Sequence, residues 1–151
     1  MTLSAGILVY RLKDQMEVML LKPGGPFYKN QDIGVWTIPK GEIHNNESPY
    51  EAAIREFQEE TGFVTDQKPS HFIDIKLRKG KSLSVFVLQE SFDISKIKSN
   101  SFAMEYPKGS GKTENFPEIE KGKWVSLDEA LIHIHSKQKT IIERFVDAID
   151  K

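Results

Sequence analysis

The sequence predicts a mixed α/β fold with α+β character, and three observations carry that prediction. Short runs rich in Ile, Leu, Val and Tyr recur along the first ninety residues, two segments begin with helix-capping signals, and the two kinds of segment alternate irregularly. No internal repeat or low-complexity tract is present, which argues against a solenoid, and the strand signals argue against a helical bundle.

The elements follow in order. Ala5 to Leu12 reads as a strand, and Val18 to Leu21 as a second one across the polar Lys13-Asp14-Gln15 turn. Lys22-Pro23-Gly24-Gly25-Pro26 breaks the pattern, and Val35-Trp36-Thr37-Ile38 offers another short apolar segment. Ser48 as N-cap, Pro49 in the first turn and Glu51 closing a capping box start a helix that Gly62 stops, so the helix runs from 49 to 61. Phe72 to Leu77 and Leu83 to Leu88 flank Arg78-Lys79-Gly80-Lys81 as a hairpin. Residues 102 to 123 carry Pro107, Gly109, Gly111, Pro117 and Gly122 with little apolar periodicity, which predicts a long loop of the kind that is functional or mobile in a compact domain, and Trp124-Val125 is a last short strand. Ser126 to Glu129 is a second capping box, and Ile141, Ile142, Phe145, Val146 and Ile149 recur at helical spacing.

At 151 residues, 38% hydrophobic and 28% charged, the chain suits one domain over 1–151. A formal charge of −1 gives no global field for nonspecific binding to nucleic acid or membrane. The absence of cysteine excludes disulfide staples and thiolate chemistry, so any metal must be held by oxygen or nitrogen. The apolar start lacks the basic leader of a signal peptide and the length of a membrane span, so a cytoplasmic location is expected, as monomer or homodimer.

Charge is concentrated in the first helix. Between residues 47 and 60 stand five glutamates and one arginine, a local charge of −4. At helical spacing Tyr50, Ala53, Ile54 and Phe57 share one face, while Glu56, Glu59 and Glu60 cluster elsewhere with Arg55 one turn before Glu59. Glu56 and Glu60 are an i,i+4 pair of like charges, which costs a helix roughly 0.2–0.5 kcal/mol when bare. A divalent cation removes that cost. Mg²⁺ takes one or two protein carboxylates and completes its octahedron with water and phosphate, so a hard metal with a phosphate substrate is the natural chemistry.

Gly41, Glu47 and the run Arg55-Glu56-Phe57-Gln58-Glu59-Glu60-Thr61-Gly62-Phe63 match all nine defined positions of the pattern Gx5Ex7REUxEExGU. That pattern is the signature of the Nudix hydrolases, and the chain resembles them. The likeness extends to Ala5–Leu12, to Trp36-Thr-Ile-Pro-Lys-Gly41 and to Trp124–Glu129; Phe57 stands where an aliphatic residue is more usual. The resemblance implies an α/β/α sandwich around a mixed sheet, and hydrolysis of a nucleoside diphosphate linked to another group. It implies Mg²⁺, with Mn²⁺ as substitute, held by Glu59, Glu60 and the backbone carbonyl of Lys40. Glu56 is then a ligand or the general base, Arg55 orients the glutamates, and Glu47 seats the helix or binds a further metal. Gly41 and Gly62 take structural roles at the turn into and out of the helix.

Further features complete the expectation. Gly109-Ser-Gly-Lys-Thr113 ends like a P-loop, but Tyr106 stands at the required first glycine and Asn115-Phe116-Pro117 blocks a following helix. It reads instead as a basic lid whose Lys108 or Lys112 meets substrate phosphates. Glu105, Glu114, Glu118 and Glu120 compete for the extra carboxylate that several Nudix enzymes supply late in the chain, with Glu118 favoured by its place after Phe116-Pro117. Gly24-Gly25 offers backbone to a polyphosphate, and Phe27 or Tyr28 a ring to a base. The four histidines show no ligand spacing. The chain resembles a bacterial subgroup of predicted nucleoside triphosphate pyrophosphohydrolases, so the expected substrate is a nucleoside triphosphate or dinucleoside polyphosphate. The alternatives are removal of pyrophosphate from an RNA 5′ end, with Lys76, Arg78, Lys79 and Lys81 as a basic track, and a noncatalytic Nudix-fold binding domain.

Overall fold

The computed structural model describes residues 2–150. Its centre is β1 (Thr2–Leu12), whose run Ala5 to Tyr10 is buried on both faces. Such a strand needs neighbours on either side and cover above and below. It pairs in parallel with β5 (Lys81–Gln89), and antiparallel with β2 (Met16–Pro23) near its end and with β3 (Lys40–Glu42) near its start. β4 (His71–Arg78) forms the expected hairpin with β5. The sheet order is β4-β5-β1-β2-β8, with β8 (Ile119–Ser126) at one edge.

Alternation along these strands sorts the core into two layers. Ala5, Ile7, Val9, Met19 and Leu21 meet Ala52, Ala53 and Phe57 of α1 (Pro49–Thr61). On the opposite face Leu8, Val18, Leu20, Val85 and Val87 meet α2 (Leu127–His133) and α3 (Lys139–Ile149), and the Phe145 ring packs 5.1 Å from that of Tyr10. The result is a mixed sheet between helices, as expected. Both halves of the Ser48/Glu51 capping box form, and Gly62 ends α1 at φ 79°, a left-handed conformation that costs glycine nothing. Ser126 caps α2 by accepting from the Glu129 N–H. Among the described residues no helix is long and apolar enough to cross a membrane.

The apolar segment Val35 to Ile38 forms only isolated bridges, Leu21 with Thr37 and Trp36 with Ile134. One expectation is corrected. The long loop over 102 to 123 is instead a hairpin, β6 (Ser101–Glu105) with β7 (Thr113–Pro117), followed by a β8 that begins at Ile119. The hairpin is exposed over most of its length, so no core-facing apolar pattern marks it. β8 is an edge strand that carries Lys121, Gly122 and Lys123 in succession. The glycine-rich segment is the hairpin turn, where the N–H groups of Gly109 and Gly111 both donate to the Glu105 carboxylate. Its donors are thus satisfied from within.

Phe145 is fully buried between α3 and the sheet. Phe145→Ala is expected to cost about 3–5 kcal/mol of unfolding free energy, read as a lower urea midpoint with unchanged m-value.

Candidate active site

The last two turns of α1 place Arg55 among carboxylates. Its Nε donates to Glu47 at 2.7 Å and Nη2 to the other Glu47 oxygen at 3.1 Å, a two-pronged pair of strong geometry. Nη1 reaches Glu56 at 3.1 Å and Glu59 at 3.4 Å, and Nη2 also donates to the Glu42 carbonyl at 2.9 Å. Glu47 further accepts the His44 N–H at 2.8 Å, so both its oxygens are engaged; chiefly the Arg55 hydrogen bonds hold its carboxyl down to about 2. In turn Glu47 keeps Arg55 charged.

Gly41 makes room for this arrangement. A Cβ there would stand 2.1 Å from the Glu56 carboxyl carbon, so a side chain at 41 would evict that group. The glycine serves clearance on β3 rather than turn geometry.

Glu60 is 9% exposed and, among the described residues, accepts a long 3.4 Å bond from the Lys40 N–H. Burial, then repulsion from Glu56, pushes its carboxyl up to about 8. Burial and Glu59 push Glu56 up in the same direction. Glu118, between β7 and β8, is also raised by burial and Glu59, and it in turn acts on Glu56 and Glu60. It alone of the four late glutamates joins this group: Glu105 closes the hairpin turn, Glu114 is exposed on β7, and Glu120 faces Lys22. Its backbone is held at both ends, donating to the Asn100 carbonyl and accepting from the Gly24 N–H, each at 2.8 Å. Gly24 permits that corner, since a Cβ there would meet the Pro117 carbonyl oxygen at 2.0 Å. The missing side chain is spent on the chain itself.

All these donors are hard oxygens, the set a small divalent cation prefers. Among the described residues no three acidic or histidine side chains already surround one point. Mg²⁺ needs no such cage, because one or two carboxylates with water and phosphate complete its shell. The residues fit that ion.

A cleft of about 340 Å³ is lined by Lys40, whose N–H donates to Glu60, and so adjoins the acidic cluster through that residue. Tyr28, Arg78, Lys81 and Lys137 bring a ring and three more cations to it, and Thr37, His135 and Gln138 add polar groups. Gln138 is buried and joins the Ile38 N–H to the Thr37 hydroxyl. His135, Lys137 and Gln138 carried no signal in the sequence, being about a hundred residues from their neighbours Val35 to Lys40. Tyr28 faces the cleft, whereas Phe27 is 73% exposed and meets only the Tyr28 edge at 4.9 Å. Lys112 sits in the hairpin turn, exposed and outside the cleft.

A family model for the NUDIX domain matches residues 2–145. The chain belongs to the Nudix family. Nudix hydrolase 7 of Arabidopsis thaliana is 29% identical over 127 residues, covering 83% of this chain and 39% of that protein. An asymmetrical bis(5′-nucleosyl)-tetraphosphatase of Caenorhabditis elegans is 35% identical over 69 residues, 45% of this chain and 46% of that protein. The chain spans less than half the length of the curated relatives it matches. A solved C. elegans Ap4A hydrolase in a binary complex shares the fold, with a TM-score of 0.68 at 22% identity over 99% of this chain and 98% of that one.

The Nudix helix carries a pH signature. Folded, metal-free protein keeps the Glu60 proton up to about 8, while the unfolded chain releases it near 4.5. The folded state therefore binds more protons through that window, and stability must fall as pH rises across it. The melting temperature of metal-free protein is expected to drop between about pH 4.5 and 8, with a flatter profile in Glu60→Gln, as differential scanning calorimetry will show.

Proposed function

We propose that the protein hydrolyses a phosphoanhydride bond in a nucleoside diphosphate linked to another group, with dinucleoside polyphosphates and nucleoside triphosphates as its substrates. The observation that carries this reading is the contact between an acidic cluster and a basic cleft through one residue: Lys40 donates its N–H to Glu60 and lines the cleft. Membership of the Nudix family and likeness to C. elegans asymmetrical bis(5′-nucleosyl)-tetraphosphatase and Ap4A hydrolase support the polyphosphate class.

In this mechanism Arg78, Lys81, Lys137 and Lys40 neutralise the polyphosphate, and Tyr28 offers its ring to the base. Glu59, Glu60 and the Lys40 carbonyl hold Mg²⁺, or Mn²⁺ in its place, with Glu56 as a further ligand. When bound, the ion supplies Lewis-acid stabilisation of the phosphate oxygens and an acidified water. Glu118 accepts the proton of the attacking water, a role suited to a carboxyl raised above its ordinary range and fixed by its own backbone. Arg55 keeps Glu56 and Glu59 in place, and Glu47 keeps Arg55 in place.

The test is a panel of nucleoside triphosphates, dinucleoside polyphosphates, ADP-ribose and 5′-triphosphate RNA, assayed with Mg²⁺ and with Mn²⁺. Product release from the first two classes is expected; preference for the RNA would favour the 5′-end reading instead. Glu59→Gln, which keeps size and removes charge, is expected to lower kcat by at least about two orders of magnitude while the protein stays folded. Full activity of a folded Glu59→Gln protein would overturn the metal assignment. The Arg78→Ala/Lys81→Ala double variant is expected to raise KM at least about tenfold with a smaller change in kcat, because these cations bind phosphate remote from the carboxylates.

A further inference from the structure

A second basic cavity lies outside the site just described. It has a volume of about 620 Å³ and gathers Lys22, Lys29, Lys121 and Lys123 around Trp36 and Asp32. A ridge of chain separates it from the active-site cleft, since the adjacent residues Pro23, Tyr28 and Val35 line that cleft instead. Lys22 and Lys121 are direct partners across β2 and β8, and Lys123 follows two residues along, which returns it to the same face. Like charges placed opposite one another destabilise a sheet.

Lysines on an edge strand ordinarily deter pairing with another sheet, and β8 is such a strand. Lys22 is not explained that way. It lies on β2, between β1 and β8, and is 7% exposed. Burying an ammonium is costly unless it is closely paired. The partner within reach, Glu120, stands 3.5 Å away and is itself 45% exposed. Asp32 accepts the Trp36 indole N–H at 2.7 Å and its carboxylate also faces Lys22 and Lys123 within the groove, so it offsets part of the charge of the four lysines and leaves the groove cationic. The Lys123 ammonium lies 4.4 Å from the centre of the Trp36 ring, which is only 2% exposed and offers no face for a base.

We propose that this groove binds closely spaced phosphate groups, such as an oligophosphate or the polyphosphate tail of a nucleotide, at a site separate from the catalytic cleft. Cross-strand partners stand about 5 Å apart and alternate residues about 7 Å apart, so the three strand lysines can converge on one short oligoanion. With no exposed ring the site recognises charge rather than base. The inference stands whether or not the hydrolytic reading holds.

The experiment titrates inorganic tripolyphosphate into metal-free, 15N-labelled protein. The Trp36 indole N–H and the Gly122 amide report on the groove, and the Gln138 side-chain amide reports on the cleft. Saturable shifts of Trp36 and Gly122 are expected, with affinity at least about tenfold weaker in Lys121→Ala/Lys123→Ala while the Gln138 response is unchanged. Lys22→Met, which keeps the stem and removes the charge, provides the same reading should the double variant aggregate. A 5′-hydroxyl oligonucleotide, whose phosphates are diesters spaced along a strand, is expected to bind more weakly than tripolyphosphate. The proposal is overturned if Trp36 and Gly122 stay still while Gln138 shifts, if the variants bind as wild type does, or if the oligonucleotide binds better.

Discussion

The arrangement of the acidic site depends on one guanidinium. Arg55 bonds Glu47, Glu56, Glu59 and the Glu42 carbonyl, so a single planar cation ties the loop before α1 to the last turns of the helix. Without it, carboxylates crowded along one helix face would repel one another and swing toward solvent. The two-pronged bond to Glu47 anchors the guanidinium from outside the helix, and the Gly41 clearance lets Glu56 stand close to β3. Arginine is suited to this place because its fork of donors serves several acceptors in one plane, which a lysine ammonium does not do.

A second constraint works through backbone. The corner between β7 and β8 is tied to Asn100 and Gly24, and the Asn100 N–H in turn donates to the Glu59 carbonyl at the end of α1. The exposed β6–β7 hairpin is therefore rooted beside the carboxylate cluster, and Glu118 reaches that cluster from a rigid corner rather than from a loose loop. Backbone hydrogen bonds of this kind position a side chain through the main chain alone, although the close approach at Gly24 leaves no room there for a Cβ.

The net charge of −1 conceals strong local separation. Acidic groups concentrate on α1 and at Glu118, while cations line two cavities on either side of the ridge formed by residues 22–23, 28–29 and 35–36. Attraction between phosphate and lysine falls off within about a Debye length, roughly 8 Å at physiological salt, so each patch acts at short range, and the acidic and basic patches meet at Lys40, whose N–H donates to Glu60.

Features that depend on near neighbours along the chain are legible in the amino-acid order alone. The capping box at Ser48, the exit at Gly62, the β4–β5 hairpin and the grouping of Arg55, Glu56, Glu59 and Glu60 all follow from spacings within one element, where helix and strand periodicity fix who meets whom. Glu118 was legible as a candidate but not distinguishable from Glu105, Glu114 and Glu120, because its selection rests on main-chain bonds to Asn100 and Gly24. The β6–β7 hairpin buries little and so leaves no apolar stripe in the sequence. Only the tertiary structure decided that Glu60 is buried, that Gly41 yields its side-chain space to Glu56, and that His135, Lys137 and Gln138 complete the cleft. Each of these depends on contact between segments remote in the chain, and burial, the largest influence on the Glu60 carboxyl, arises only when the layers close.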